Sequence, residues 1–498
     1  MYIQLIIQNA GEIIIMQLHK SLKINTLLNA IKTFTSILFP MITFPYISRV
    51  LLPENVGKIN FASSFVSYFS LIASLGISTY AIRECAAIRD DKRALSKSAS
   101  EIYSINVCTT LVAYILLACS LIFMRRLDSY REIIILQALG IALTTLGADW
   151  INSAMEDFQY ITIRYIFFQF VSLFLMFIFV KESSDYVKYV VISLVATSGA
   201  NLANVVYRKK YCKIKFTLQM RWKKHFSPIL LLFVMLFAQT IFNSADMTML
   251  GFFKDDYAVG IYSTAFKIKN IICQIVSSLT WVVMPRMSFY FAEGDPDKIR
   301  NMLKKILSTM VTIGFPCIAG CCILAKEIVQ VIGGEDYSSA AFPLIILMIS
   351  YLFDIFGGGF LGNMICLPSK KEKIFMEACC VAAVINVVLN YFLIPIGGVD
   401  AAAFTTVISD LTMLIWLLIK KDKEIKLDYI WEVVKTPLIG VFAIIIYCFI
   451  IRNCIQGIYS MILFSVVGSV ILYIGLLVLL KNTIVCDVMT SIKKFLFK

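Results

Sequence analysis

The chain has 498 residues, of which 59% are hydrophobic and 16% charged, with a formal net charge of +14 and a mean hydropathy of +0.82. A water-soluble chain of this size carries about 25% charged residues and lacks repeated apolar runs of about 20, so the composition leaves a membrane protein. The basic excess does not indicate nucleic acid, because Lys and Arg sit in short clusters between apolar runs, a pattern that membrane topology explains. Fourteen cysteines show no ligand-like spacing beside only two histidines. They read as small buried residues, and neither a metal site nor a cofactor is expected.

Residues 1–23 form a cytoplasmic N-terminal segment. Within it Ile3 to Ile15 is apolar but too short to span, and it lacks the basic start and cleavage site of a signal peptide. Either it is an interfacial extension or translation begins at Met16. Apolar runs of spanning length follow at about 24–48, 59–82, 101–123, 132–150, 161–180, 185–206, 228–252, 261–284, 305–325, 339–366, 374–394, 399–419, 432–451 and 456–480. The fold class is therefore all-α and polytopic, with about 14 transmembrane helices. With an even number of spans both termini share a side, and most Lys and Arg fall on that side, which makes it cytoplasmic.

The first span carries Asn25, Asn29, Lys32, Ser36, Pro40 and Thr43 on one face. The second belongs to a repeat: Val56, Gly57, Ala62, Ile72, Ser74 and Arg83 recur as Val259, Gly260, Ala265, Ile275, Ser277 and Arg286 in the eighth. Each copy has a polar stripe at helical spacing. The first runs through Asn60, Ser64, Ser67 and Ser74, and the second through Ser263, Lys267, Asn270 and Ser277, with Gln274 beside it. Hydroxyls, amides and an ammonium find no partners in lipid, so the stripes must face protein or a wet path. An even number of spans separates the copies, giving both the same orientation, as in transporters whose halves are related by a pseudo-two-fold along the membrane normal. Two six-helix lobes, 24–206 and 228–420, follow. The most basic loop, 207–227, links them, 421–480 supplies two accessory helices, and 481–498 is a basic cytoplasmic tail.

No nucleophile motif, phosphate loop or metal cluster is present, so the chemistry is one of charge and hydration. Span seven carries Gln239, Asn243 and Asp246, and counting from the turn between spans seven and eight places Asp246 and Lys267 at one depth. A direct or water-bridged pair between them is expected, either as a permanent structural pair or as one that an arriving phosphate opens. Asp246, Asp354 and Asp410 are the acids deep enough to couple transport to an ion gradient. Lys269 lies nearly opposite Lys267 and either snorkels to the interface or has a function. Asp410 alternatively makes a structural hydrogen bond. Gly357, Gly358 and Gly359 suit either a bend or tight helix packing.

Between spans four and five the chain reads Asp149, Trp150, Ile151, Asn152, Ser153, Ala154, Met155, Glu156, with Arg164 opening the next span. This turn resembles the Asp-Trp, then Gly-x-Glu, signature of bacterial lipid-linked oligosaccharide flippases of the O-antigen and capsule type, within the multidrug/oligosaccharidyl-lipid/polysaccharide exporter superfamily. Pro285, Arg286, Met287 and Ser288 are similar to the Pro-Arg-x-Ser that closes span eight in that family, and Gly260 to Lys267 to its Gly-x-Tyr-x-x-Ala start. The chain departs from the family at Ser153 and Ala154, where Gln-Gly is usual. A purely structural pairing of Asp149, Glu156 and Arg164 at the rim is the other account of the turn.

The resemblance implies two bundles around a cavity open alternately to either face, without enzymatic activity. It implies an undecaprenyl-diphosphate oligosaccharide as cargo, an ion or proton gradient as drive, and the bacterial inner membrane as location. Polysaccharide polymerase and assembly proteins would be partners. Arg83 and Arg286 would then stand at the cytoplasmic mouth. A peptidoglycan-precursor flippase and a drug or cation exporter share the fold. The cavity cations Lys32 and Lys267 argue against an exporter of cations, and short outer loops argue against a membrane glycan polymerase or ligase.

Overall fold

The computed structural model describes the backbone of residues 2–281, 283–422 and 425–496, and among these residues it contains helices and no strands. Ten described helical segments are long and apolar enough to cross a membrane. Helix α1 (Tyr2–Ser74) is interrupted at Leu52, where φ is 64°. Pro53 follows and has no N–H to continue the ladder. Helices α2 (Ile77–Ala86), α3 (Lys92–Phe123), α4 (Arg131–Gly147), α5 (Trp150–Ala154), α6 (Phe158–Phe179) and α7 (Tyr186–Tyr207) come next. Beyond the linker lie α8 (Trp222–Phe253), α9 (Asp256–Trp281), α10 (Met284–Glu293), α11 (Pro296–Ile323), α12 (Ala325–Gly333), α13 (Ala341–Asp354), α14 (Glu372–Lys420), α15 (Ile430–Cys454), α16 (Ile458–Leu479) and α17 (Thr483–Leu496). The chain packs as two compact units, one of Met1–Thr43 and Phe65–Leu236, the other of Phe44–Ser64 and Phe237–Lys498. The lower limb of α1 beyond Thr43 and the first turns after its break thus belong with the second half of the sequence.

In the first unit, α2, α3, α5, the linker and the start of α8 share one apolar core that includes Ile77, Ala81, Cys85, Ile102, Trp150 and Ile151. The basic linker is not a loose tether. After α7 it runs extended along α3, where the N–H groups of Lys213, Lys215 and Thr217 donate to the hydroxyls of Ser96, Ser100 and Ser104 at 3.3, 3.1 and 2.8 Å. Two residues of extended chain advance about 6.6 Å and four residues of helix about 6 Å, so alternate linker amides match serines spaced by four. Ser100 and Ser104 spend their own protons on the carbonyls one turn back, at 2.7 Å each, leaving lone pairs for the linker.

In the second unit the two repeat copies meet at equivalent positions. Asn60 Nδ2 donates to Ser263 Oγ at 2.9 Å, across a separation of 203 residues. A Cβ on Gly57 would lie 1.7 Å from the Asp256 carbonyl oxygen, and one on Gly260 would lie 2.0 Å from that of Pro53. The same offset relates Gly57 to Gly260 and Pro53 to Asp256, so the contact is reciprocal, as a local two-fold requires. Gly57→Ala and Gly260→Ala should therefore each lower the melting temperature of the purified protein. Backbone blocks the space, and the cost should reach or exceed the about 1–3 kcal/mol typical of overpacking. Melting at the wild-type temperature would contradict this packing.

Hairpins complete the second unit. Gly398, at φ 57°, interrupts α14, and Thr405 Oγ1 reaches Asn390 Oδ1 at 2.5 Å across the break. Fifteen residues of straight helix would hold them about 22 Å apart, so the two limbs fold back on each other. After α13 the glycine-rich segment Ile355–Cys366 winds as a π-helix. Gly357 there lies against the backbone of Leu414, 3.3 Å from where its Cβ would be, so close packing and a locally altered helix coexist. Tyr473 on α16 donates to the Thr312 carbonyl at 2.8 Å. Lys304–Glu432 and Arg300–Asp428 ion pairs at 2.7 and 2.8 Å join α11 to α15 and the turn before it.

Candidate functional site

Rotation about α9 sorts the polar residues of the second unit into two sets. Ser263, Lys267 and Asn270 follow one face, and Tyr262 and Lys269, two turns apart and about 20° out of phase, follow another. Ser263 meets Asn60, and the Lys267 ammonium lies 4.3 Å over the centre of the Phe44 ring. Ser64 meets Thr248 at 2.9 Å. Lys267 and Asn270 are half-buried and Gln274 is exposed.

The second face of α9 addresses buried acids. Asp246, 1% exposed, accepts from the Tyr262 hydroxyl, from Thr406 Oγ1 at 2.9 Å and from Asn390 Nδ2 at 2.6 Å. Asn390 Nδ2 also reaches Asn386 Oδ1 at 3.0 Å. Donors from α9 and both limbs of α14 thus converge on one carboxylate. Further along the same face, Lys269 Nζ donates to Ser350 Oγ at 3.0 Å and lies 3.5 Å from Asp410 Oδ2. The Ser350 hydroxyl in turn donates to Asp410. Asp354 is half-buried at the end of α13.

These placements correct one expectation and decide between two alternatives. Asp246 and Lys267 share a depth but not a face: five residues separate Tyr262 from Lys267, a turn of about 140°, so Lys267 points away once Tyr262 points at Asp246. No ion pair joins them among the described residues. Lys269, in place of snorkelling, is 6% exposed and is the partner of Asp410. The signal was available in the seven-residue step from Tyr262 to Lys269, but nothing in the sequence told which face α9 turns toward α14.

In the first unit the signature turn is a buttress. Ala148 and Glu156 adopt positive φ, 46° and 56°, and the short α5 between them packs on α2. Arg164, 8% exposed, pairs with Asp149, while Glu156 pairs with Arg89 at 2.9 Å, so the acids have separate partners. Asn152 Nδ2 donates to Asn204 Oδ1 at 2.6 Å, and Asn204 Nδ2 to the Gly147 carbonyl at 2.8 Å. Trp150 is buried in the core beside α2. Asp157, just before α6, is pushed up by burial. Hydrogen bonds from Tyr207 and Tyr211, and from the Tyr160 N–H, outweigh that and hold its carboxyl below the ordinary range. Asp149→Ala should strand the Arg164 guanidinium. With Asp149 itself partly exposed, the loss should fall at the low end of the about 3–5 kcal/mol for a broken buried pair, read as a lower denaturation midpoint.

The remaining candidates are dispersed. Lys32 is half-buried, 5.9 Å from the centre of the Tyr165 ring. Ser67 is half-buried and Arg83 exposed on α2. Arg286 is exposed on α10 and donates to Tyr290 Oη at 2.9 Å. Sequence reasoning passed over Glu101, Arg221 and His225, which the structure brings together.

Comparison with known proteins agrees with this architecture. Residues 22–291 match the polysaccharide biosynthesis protein family, and residues 232–392 match the MatE family. The chain is 22% identical over 413 residues to the "Putative O-antigen transporter" of Escherichia coli K12, covering 81% of this chain and 98% of that protein. To the protein of the same name in Shigella dysenteriae it is 24% identical over 413 residues, covering 79% and 99%. Among solved structures, the lipid II flippase MurJ in its inward closed conformation superposes with a TM-score of 0.74 at 14% identity, covering 92% of this chain and 100% of that one. That likeness establishes the fold. The chain is a multi-pass membrane protein that belongs to the polysaccharide biosynthesis protein family.

Proposed function

We propose that this protein is a flippase that carries an undecaprenyl-diphosphate-linked oligosaccharide from the cytoplasmic to the outer leaflet of the bacterial inner membrane, with both termini cytoplasmic, to supply surface polysaccharide assembly. The observation that carries the proposal is Lys267. Its ammonium sits on the polar stripe of α9 over the Phe44 ring, and among the described residues it forms no ion pair. A cation within a span costs about 2.5–3.5 kcal/mol on insertion scales, and one aromatic ring returns about 0.5–2 kcal/mol. An arriving diphosphate supplies the missing counter-charge. Asn60 and Ser263, and Ser64 and Thr248, are spent on each other, so the half-buried Asn270 and the exposed Gln274 on the same face of α9 are the groups that replace part of the water a sugar head group sheds. No bond is broken, and the lipid tail stays in the bilayer. A cation on this polar stripe favours an anionic cargo over a cationic drug.

Ion coupling falls to the second face of α9. Asp246 and Asp410 meet it through Tyr262 and Lys269, Asp354 stands at the end of α13, and a proton or small cation exchanged at Asp246 would break hydrogen bonds to α9 and both limbs of α14 together. Binding of undecaprenyl diphosphate to the purified protein tests the cargo proposal. Lys267→Met should weaken it by about tenfold or more, as expected for loss of a charge-assisted contact, and Lys267→Arg should largely keep it. Unchanged binding by the Met variant would defeat the proposal.

A further inference from the structure

Helix α2 has ten residues and follows two positive-φ residues, Leu75 at 43° and Gly76 at 74°, so its orientation is not inherited from α1. Side-chain contacts must set it. Its apolar face, Ile77, Ala81 and Cys85, lies in the core shared with Trp150 and Ile151. Its polar edge is held from α8. The Tyr80 hydroxyl lies 2.7 Å from His225 Nδ1, and Lys224, the residue before His225, donates to Glu84, one turn on from Tyr80. His225 is fully buried and Glu101 is 2% exposed. His225 Nε2 meets Glu101 Oε2 at 3.1 Å, while Arg221 Nε donates to the two Glu101 oxygens at 2.9 and 2.8 Å.

An ionised Glu101 only accepts, so His225 Nε2 carries a proton and donates to it, while Nδ1 pairs with the Tyr80 hydroxyl. The serine ladder delivers the linker along α3 to the level of Glu101, where Arg221 and His225 close the network. Glu101 on α3 thus anchors the start of α8, and His225 passes that anchorage to α2. Arg83 lies about 60° around α2 from Tyr80, exposed, and no partner for its guanidinium is found among the described residues. Rolling α2 about its axis would swing Arg83.

We propose that His225 is a positioning residue for cargo recognition: through Tyr80 it sets the roll of α2 and so the place of Arg83, the cation that meets a lipid diphosphate at the cytoplasmic mouth. This rests on the cargo reading above, and specifically on Arg83 as a diphosphate contact. A histidine that merely fills the core would affect stability and leave the affinity of the folded protein alone.

The test is a binding cycle with undecaprenyl diphosphate in detergent micelles, using full-length protein that elutes as a single folded species, with melting temperature recorded beside affinity. Arg83→Ala should weaken binding about tenfold. His225→Ala should weaken it by several-fold, and the double variant should be no weaker than Arg83→Ala alone. Tyr80→Phe, which removes one hydroxyl and keeps the ring, should reproduce the His225→Ala loss even if the latter folds poorly. His225→Gln, able to donate to Glu101 and accept from Tyr80, should recover part of the affinity. Losses that multiply in the double variant, or wild-type affinity in Tyr80→Phe and His225→Ala, would overturn the proposal. Wild-type affinity in Arg83→Ala would instead overturn the cargo contact on which it rests, and the two failures are told apart by which single variant is silent.

Discussion

Lys269→Met should destabilise the protein by about 3–5 kcal/mol, because it leaves the Asp410 carboxylate buried with only the Ser350 hydroxyl for a partner. Asp410 is 1% exposed, so water cannot take over the role of the ammonium. The double variant Lys269→Met, Asp410→Leu removes both charges and should regain most of that loss, since packed apolar side chains often match or exceed a buried ion pair in stability. Chemical denaturation in detergent reads both effects. If the single and double variants lose the same stability, the pair is not coupled. A stable double variant also separates two roles for the pair: lost transport with restored stability places these charges in the transport cycle, and retained transport makes them structural.

The second large effect is expected at Asp246. Three donors, from Tyr262, Thr406 and Asn390, face its two oxygens. In Asp246→Asn an amide NH₂ replaces one acceptor, so one buried donor must lose its partner, at about 1–3 kcal/mol. If Asp246 carries the coupling ion, transport into vesicles should also lose its dependence on an imposed ion gradient while basal exchange persists. Asp246→Asn that still responds fully to the gradient would move coupling to Asp410 or Asp354.

Much of the scaffold was legible because helices impose a fixed period on sequence. The repeat stripe placed Asn60 and Ser263 in equivalent positions, and they meet. Gly57 and Gly260, two of its matched residues, are where backbones come closest. The signature turn was legible as a unit, but Glu156 finds Arg89, a residue outside the motif. What failed was facing. A count along a hairpin gives depth, and depth made Asp246 and Lys267 look like partners. Which way a helix rolls is fixed by its neighbours, here by Tyr262 reaching across to Asp246, and a single buried hydroxyl has no period to betray it. The linker escaped for a related reason: eight basic residues dominate its composition, whereas its path is set by three backbone N–H groups and by serines on a distant helix.

Reconstituted liposomes give the most direct measurement of the central claim. Undecaprenyl-diphosphate oligosaccharide is placed in the leaflet matching the cytoplasmic face, an ion gradient is imposed, and arrival of glycan at the opposite face is followed with an impermeant lectin. The account predicts movement well above protein-free vesicles, strongly reduced by Lys267→Met and restored in part by Lys267→Arg. Movement no faster than in protein-free vesicles, or equally fast in the Met variant, would contradict it.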